Sequence, residues 1–185
     1  MEQKENQRIM LTKQLLHNAL LKMLKTTPLH AISIRELCKE AGINRTTFYN
    51  HYGSQYDLLD DISQRFLNSI ADRLESADFS DRKSVHQRVA MVLAYLVENR
   101  ELSILLMNHN LDPGFEERIF SLPKIGDLLD AALVNCRDER KRTATISFVI
   151  YGSYKLLQDW LNQEDRLPPA EQTEMMLDLA QRVCV

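Results

Sequence analysis

Glycine and proline are scarce in this chain, five of each in 185 residues. So few glycines leave little material for loops that cradle phosphate. No Gly-rich phosphate loop, no G-x-S-x-G and no H-E-x-x-H occurs. No Cys/His nucleophile pair has a supporting third group, so an enzyme is not expected, and neither is a cofactor. The same scarcity, with 44% apolar residues, excludes low-complexity disorder and leaves enough material for a core. The cysteines, Cys38, Cys136 and Cys184, are odd in number and widely spaced. That pattern gives neither a disulfide framework nor a zinc site, and reduced, packed thiols are expected. His86 and His109 are each lone, without a carboxylate or thiol at ligand spacing, so no metal is expected. No apolar run approaches the ~20 residues that span a bilayer. The opening MEQKENQRIM has no apolar signal-peptide core. The expectation is a cytoplasmic chain with no membrane partner.

What the sequence does have is helical periodicity almost throughout. Ile9, Leu16, Ala19, Leu20, Met23 and Leu24 share one stripe and predict a helix over 8–26, ended by Thr27-Pro28. Ser33-Ile34-Arg35-Glu36 is a capping box that starts a second helix, running to Ala41, with Gly42 at the left-handed stop. Asn44 can cap a short third helix from Arg45 to Asn50. Ser54 and Asp57 open a fourth, 55–75. Further helices are expected over 84–99, 101–108, a stretch from Pro113 to Cys136 interrupted by Pro123, 139–163 and 169–183, with a loop at 76–80. No strand alternation appears. The expected fold is all-α, about nine helices, with domains at 1–56 and 57–185.

Charge divides along the same line. Residues 1–56 carry eight Lys and Arg against four Asp and Glu; residues 57–185 carry fifteen against twenty-two. A basic head on an acidic body suits a head that meets a polyanion.

The two short helices around Gly42 have the spacing of a helix-turn-helix. Leu37, Cys38, Ala41, Ile43, Phe48 and Tyr52 can lock them together. Outward on the third helix that leaves Asn44, Arg45, Thr46, Thr47, Tyr49, Asn50 and His51, none acidic. All can meet a phosphate, a base edge or a thymine methyl.

The run Ser33-Ile34-Arg35-Glu36-Leu37, Ala41-Gly42-Ile43-Asn44-Arg45-Thr46-Thr47-Phe48-Tyr49-Asn50-His51-Tyr52, Ser54, Leu58-Leu59 resembles the DNA-binding domain of the TetR family of bacterial transcriptional regulators. The resemblance covers about residues 8–59. It implies that Arg45, Thr46 and Thr47 read the groove. Tyr49 and His51 would contact phosphate, with Ser33 and Arg35 at the start of helix two beside them. Gln55 stands where the family usually has a lysine. A glutamine can hydrogen-bond but releases no counterion, so somewhat weaker and less salt-dependent binding is expected.

Ile150-Tyr151-Gly152-Ser153-Tyr154 and Trp160-Leu161 are similar to a C-terminal subtype common in Firmicutes regulators. The resemblance implies a homodimer on palindromic double-stranded DNA, a small-molecule effector, and most often repression. Expected ligand-lining residues are Met91, Tyr95, Met107, Asn108, His109, Phe115, Phe120 and Tyr154. Expected dimer residues are Ile146, Val149, Ile150, Leu157, Trp160, Leu161, Met176 and Leu179. A co-regulator that works through a protein partner, without a small-molecule ligand, is the second reading.

Overall fold

The computed structural model describes residues 2–75, 81–108, 111–132 and 139–183. The expected loop at 76–80, the helix end near Cys136, and the residues His109, Cys136 and Cys184 lie outside these. Ten α-helices are present among the described residues, and no strand: α1 (Glu2–Leu24), α2 (Ile34–Ala41), α3 (Arg45–Tyr49), α4 (Gln55–Glu75), α5 (Arg82–Glu98), α6 (Arg100–Leu106), α7 (Phe115–Phe120), α8 (Ile125–Ala132), α9 (Glu139–Asn162) and α10 (Pro169–Arg182). The count passes nine because Pro123 divides its stretch into two helices. Proline removes a backbone donor, and Lys124 beyond it takes a φ of 73°, which no α-helix tolerates. No described helix is long and apolar enough to cross a membrane.

The chain forms two compact units, Met1–Phe66 and Leu67–Val185. The division falls inside α4, later than residue 56. Leu58, Leu59 and Ile62 are buried within the first unit's stretch of that helix.

In the first unit, Leu16 and Leu20 of α1, Leu37 of α2, Phe48 of α3 and Leu58 of α4 are buried. Ile9 of the expected α1 stripe is instead exposed. Cys38 is a buried free thiol, and its burial raises its pKa.

In the second unit, α5 and α10 pack antiparallel. Arg82 at the start of α5 reaches Asp178, Glu174 and Gln181 at 2.5, 2.9 and 2.8 Å, while His86, a turn later, meets the Ala170 carbonyl at 3.2 Å. Helix α8 packs on both, and α9 packs on α6.

Within the chain, the expected dimer residues are placed as follows. Trp160 is only 2% exposed and Leu161 and Val149 are also buried, all inside their own chain. The Trp160 indole N–H donates to the Leu167 carbonyl at 2.9 Å, so both its apolar body and its polar tip are satisfied without a partner. Leu157 and Met176 line a partly open apolar cavity, and Ile146 packs against Val149 and Ala180. Ile150 is half-buried and Leu179 exposed. The outward apolar side chains of α9 are instead Phe148 and Tyr151, 65% and 64% exposed; on α10 and its end they are Met175, Leu179 and Val183.

Candidate nucleic-acid interface

The local chemistry of residues 33–57 builds a rigid presenting frame. Ser33 caps α2: its Oγ accepts from the Glu36 N–H at 3.2 Å and donates to Glu36 Oε2 at 2.6 Å, and the Ser33 N–H also points to that carboxylate. These bonds from Ser33 hold the Glu36 carboxyl below its ordinary pKa. The Ser33 hydroxyl proton is thus committed to Glu36. Gly42 ends α2 at φ 67°, a conformation that a side chain resists. The Ile43 N–H then returns to the Cys38 carbonyl at 2.9 Å and closes the turn. Asn44 caps α3 by accepting from the Thr46 N–H at 2.7 Å.

Helix α3 is only five residues long, too short to be stable alone, so its anchors matter. Phe48 is its buried pin. Tyr49 stands edge-on to Phe48 at 5.5 Å and is 57% exposed. Arg45, Thr46 and Asn50 are exposed, as are Asn44 and Arg35; Thr47, His51 and Gln55 are half-buried. This face carries a guanidinium, hydroxyls, amides and a phenol, and no carboxylate from α3.

The next helix is fastened just as closely. The Asp57 N–H donates to Ser54 Oγ at 3.3 Å, while the Asp57 carboxylate accepts from the Gly53 N–H at 2.9 Å. A Cβ on Gly53 would sit 2.9 Å from that oxygen, so glycine permits the close approach.

One anchor escaped the sequence reading. Asp61 Oδ2 accepts from Tyr52 Oη at 2.6 Å and from His17 Nε2 at 3.0 Å, with Arg65 Nε at 3.3 Å and Lys13 Nζ at 3.5 Å. The acceptors around His17 assign its proton to Nε2. This network joins α1, Tyr52 in the turn after α3, and α4. Burial alone would raise the Asp61 pKa; the bonds from Tyr52 and His17 and the charges of Arg65 and Lys13 outweigh it and bring it down to about 2. Burial holds the His17 imidazole below its ordinary value despite Asp61. Burial, then the bond to Asp61, pushes the Tyr52 phenol up. The available signal was a histidine at the edge of the Leu16/Leu20 stripe.

The second unit holds a partly open apolar cavity of about 130 Å³. Of the eight expected ligand-lining residues, Phe120 and Tyr154 line it. Helix α5 faces it with Val89, Val92, Leu93 and Leu96, an i, i+3, i+4, i+7 set. Met91 and Tyr95 lie off that face: Met91 is 42% exposed, and Tyr95 carries the Arg73 guanidinium over its ring at 3.9 Å. Phe115 is fully buried but does not line the cavity. Met107 and Asn108 border a separate polar depression with Lys155, Gln158 and Asp159. Among the described residues no group of three His, Cys, Asp or Glu is placed to hold a metal.

A capped helix pair, a short exposed third helix and a helical second unit with an apolar cavity define a helix-turn-helix regulator architecture. The family described as bacterial regulatory proteins, tetR family, matches residues 16–62, and a transcriptional regulator C-terminal region of the same family matches residues 83–182. The chain belongs to the TetR family of bacterial regulatory proteins. The HTH-type transcriptional regulator YxbF of Bacillus subtilis (strain 168) is 29% identical over 172 residues, 87% of this chain and 42% of that protein. The HTH-type dhaKLM operon transcriptional activator DhaS of Lactococcus lactis subsp. lactis (strain IL1403) is 30% identical over 90 residues, 49% of this chain and 46% of that protein. The chain therefore spans less than half the length of these curated relatives. A TetR transcriptional regulator from Streptococcus agalactiae 2603V shares the fold at a TM-score of 0.71, with 20% identity over 97% of this chain and 99% of that one.

Proposed function

We propose that this chain is a cytoplasmic, sequence-specific regulator of transcription that binds palindromic double-stranded DNA as a homodimer. The observation that carries this reading is the exposed, acid-free face of α3, with Arg45, Thr46, Tyr49 and Asn50 outward on a helix pinned by Phe48. An α-helix of this kind enters the major groove. Arg45, Thr46 and Thr47 read base edges; Tyr49, His51 and Arg35 meet phosphate. The N-terminus of α4, beginning at Gln55, offers backbone N–H groups to a further phosphate. Ser33, its hydroxyl proton held by Glu36, serves by shaping this surface.

A homodimer places two such helices about 34–36 Å apart, one turn of DNA, to read both half-sites. The outward apolar residues of α9 and α10, Phe148, Tyr151, Met175, Leu179 and Val183, form the dimer face. They flank Val149 and Ala180, which pack together inside the chain and so bring the two helices side by side.

Regulation follows from the fact that α4 supplies residues to both units. A ligand in the second unit that favours a spacing other than one turn of DNA binds the DNA-free state better and releases the operator. The output is repression. Activation is the second reading, favoured by the name of the relative DhaS, an operon activator.

Selection from a randomised duplex pool, with full-length protein at about 150 mM salt, tests this. The expected result is a palindrome with half-sites about ten base pairs apart. Retention of no preferred sequence would overturn the reading.

A further inference from the structure

We infer that Asn50 specifies an adenine in each operator half-site, about two base-pair steps from a guanine specified by Arg45. The inference deepens the regulatory reading above and rests on it.

Helix geometry selects the position. At ~3.6 residues per turn, Thr46 and Asn50 each stand about 160° around α3 from the buried Phe48, one on either side of the outermost line. Asn50 follows the last residue of α3 but keeps helical backbone angles, φ −70° and ψ −16°. Its N–H donates to the Thr46 carbonyl at 3.1 Å, so the helical face extends through it. Both side chains are exposed, as is Arg45 at the first turn.

The free hydrogen-bonding groups then select the base. Reading adenine in the major groove takes a side chain that accepts from N6 and donates to N7 at once, as an amide does. The stretch holds two asparagines, and they differ in what they can offer. The Asn44 carbonyl oxygen accepts from the Thr46 N–H at 2.7 Å. That bond holds the oxygen against the helix backbone, so oxygen and NH2 are not presented together. The Asn50 amide has no hydrogen-bond partner among the described residues, which leaves its acceptor and its donors both available.

The Arg45 guanidinium likewise makes no hydrogen bond or ion pair among the described residues. Its fork matches the O6 and N7 acceptors of guanine. Helix α3 carries no carboxylate to accept from cytosine N4, so a G·C pair is read from its guanine. Thr46 discriminates less, because a hydroxyl serves either partner. Residues 45 and 50 are about 7.5 Å apart along a helix rising ~1.5 Å per residue, near two steps of ~3.4 Å in the duplex.

The test is selection from the randomised duplex pool with full-length wild type, Asn50→Ala and Asn50→Arg, each checked for unchanged helical content by circular dichroism. Wild type is expected to return half-sites with an A·T pair and a G·C pair about two steps apart. Asn50→Ala is expected to lose about ten-fold of preference at the A·T position and to keep the G·C position. Asn50→Arg is expected to restore a preference there, now for guanine. Should Asn50→Ala lose helical content, Asn50→Ser carries the same expectation. The inference is overturned if the folded variants return the wild-type half-site, or if the position that changes is not A·T in the wild type. Loss of all duplex binding by a folded Asn50→Ala makes the residue a backbone contact and overturns it equally. A wild type that enriches no palindrome overturns the regulatory reading and the inference together, which tells the two failures apart.

Discussion

Replacing Asp61 by asparagine removes the single negative charge on which Tyr52, His17, Arg65 and Lys13 converge. The carboxyl's pKa lies near about 2 in the folded chain against an ordinary 3.8. At 1.36 kcal/mol per pKa unit, that difference corresponds to roughly 2 kcal/mol of folding stability at neutral pH. The side chain is 25% exposed, so solvent screening trims rather than abolishes this. Asparagine would also turn an amide donor toward donors, or leave the Tyr52 hydroxyl a weaker acceptor. The sign with pH follows from the direction of the shift. Because the folded pKa is depressed, the contribution is complete above the unfolded value and fades as pH falls from there toward about 2. His17 acts in the same direction. Its folded pKa is lowered, so the unfolded chain takes up the proton first and stability declines as pH drops below 6.5. Amide hydrogen exchange in the full chain is the suitable assay, because it reads the first unit by itself. For Asp61→Asn the protected amides around Leu16–Leu20 and Phe48–Tyr52 are expected to exchange about 30-fold faster at pH 7. The difference from wild type should shrink as pH falls below 4. Unchanged exchange at pH 7, or a difference that grows on acidification, would refute the assigned role of this network.

Leu179→Glu or Phe148→Glu is expected to halve the mass seen by light scattering while leaving helical content intact. Trp160→Glu, by contrast, is expected to unfold the second unit, since it buries an unpaired charge. Arg45→Ala should relax base preference in duplex selection by about 1–3 kcal/mol at the positions it reads, whereas Tyr49→Ala should weaken all duplexes alike. Equal retention by both variants would remove α3 from the reading role. Gly42→Ala should destabilise the first unit by about 1 kcal/mol in urea titration. The added methyl meets nothing within 4 Å, so the whole loss comes from the backbone at φ 67°.

Local chemistry made much of this protein legible in its residue order. The capping box at Ser33 and Glu36, the left-handed stop at Gly42 and the cap at Asn44 are short-range devices whose partners lie within four residues, and each forms as its spacing predicts. The acid-free run from Asn44 to His51 needed only the knowledge that Phe48 turns inward. Pro123 marked a break, but whether it kinks or divides a helix depended on Lys124 adopting a positive φ, which no residue preference at that position announces.

Tertiary structure decided what periodicity leaves ambiguous. The apolar helix α9 could bury either side, and residue hydrophobicity favoured Trp160 and Leu161 as the meeting face. Packing took those inward, because the indole N–H finds the Leu167 carbonyl only there, and left Phe148 and Tyr151 outward. The same holds for α5, where Val92 and Leu93 face the cavity while Met91 and Tyr95, equally apolar by composition, do not. The Asp61 network joins residues 13, 17, 52, 61 and 65, which only folding brings together. The physical reason is common to all three. A cap or turn is satisfied within one turn of chain, so sequence determines it. A buried face or a shared charge is settled by which other helices arrive, and that information lies in the packing of the whole unit.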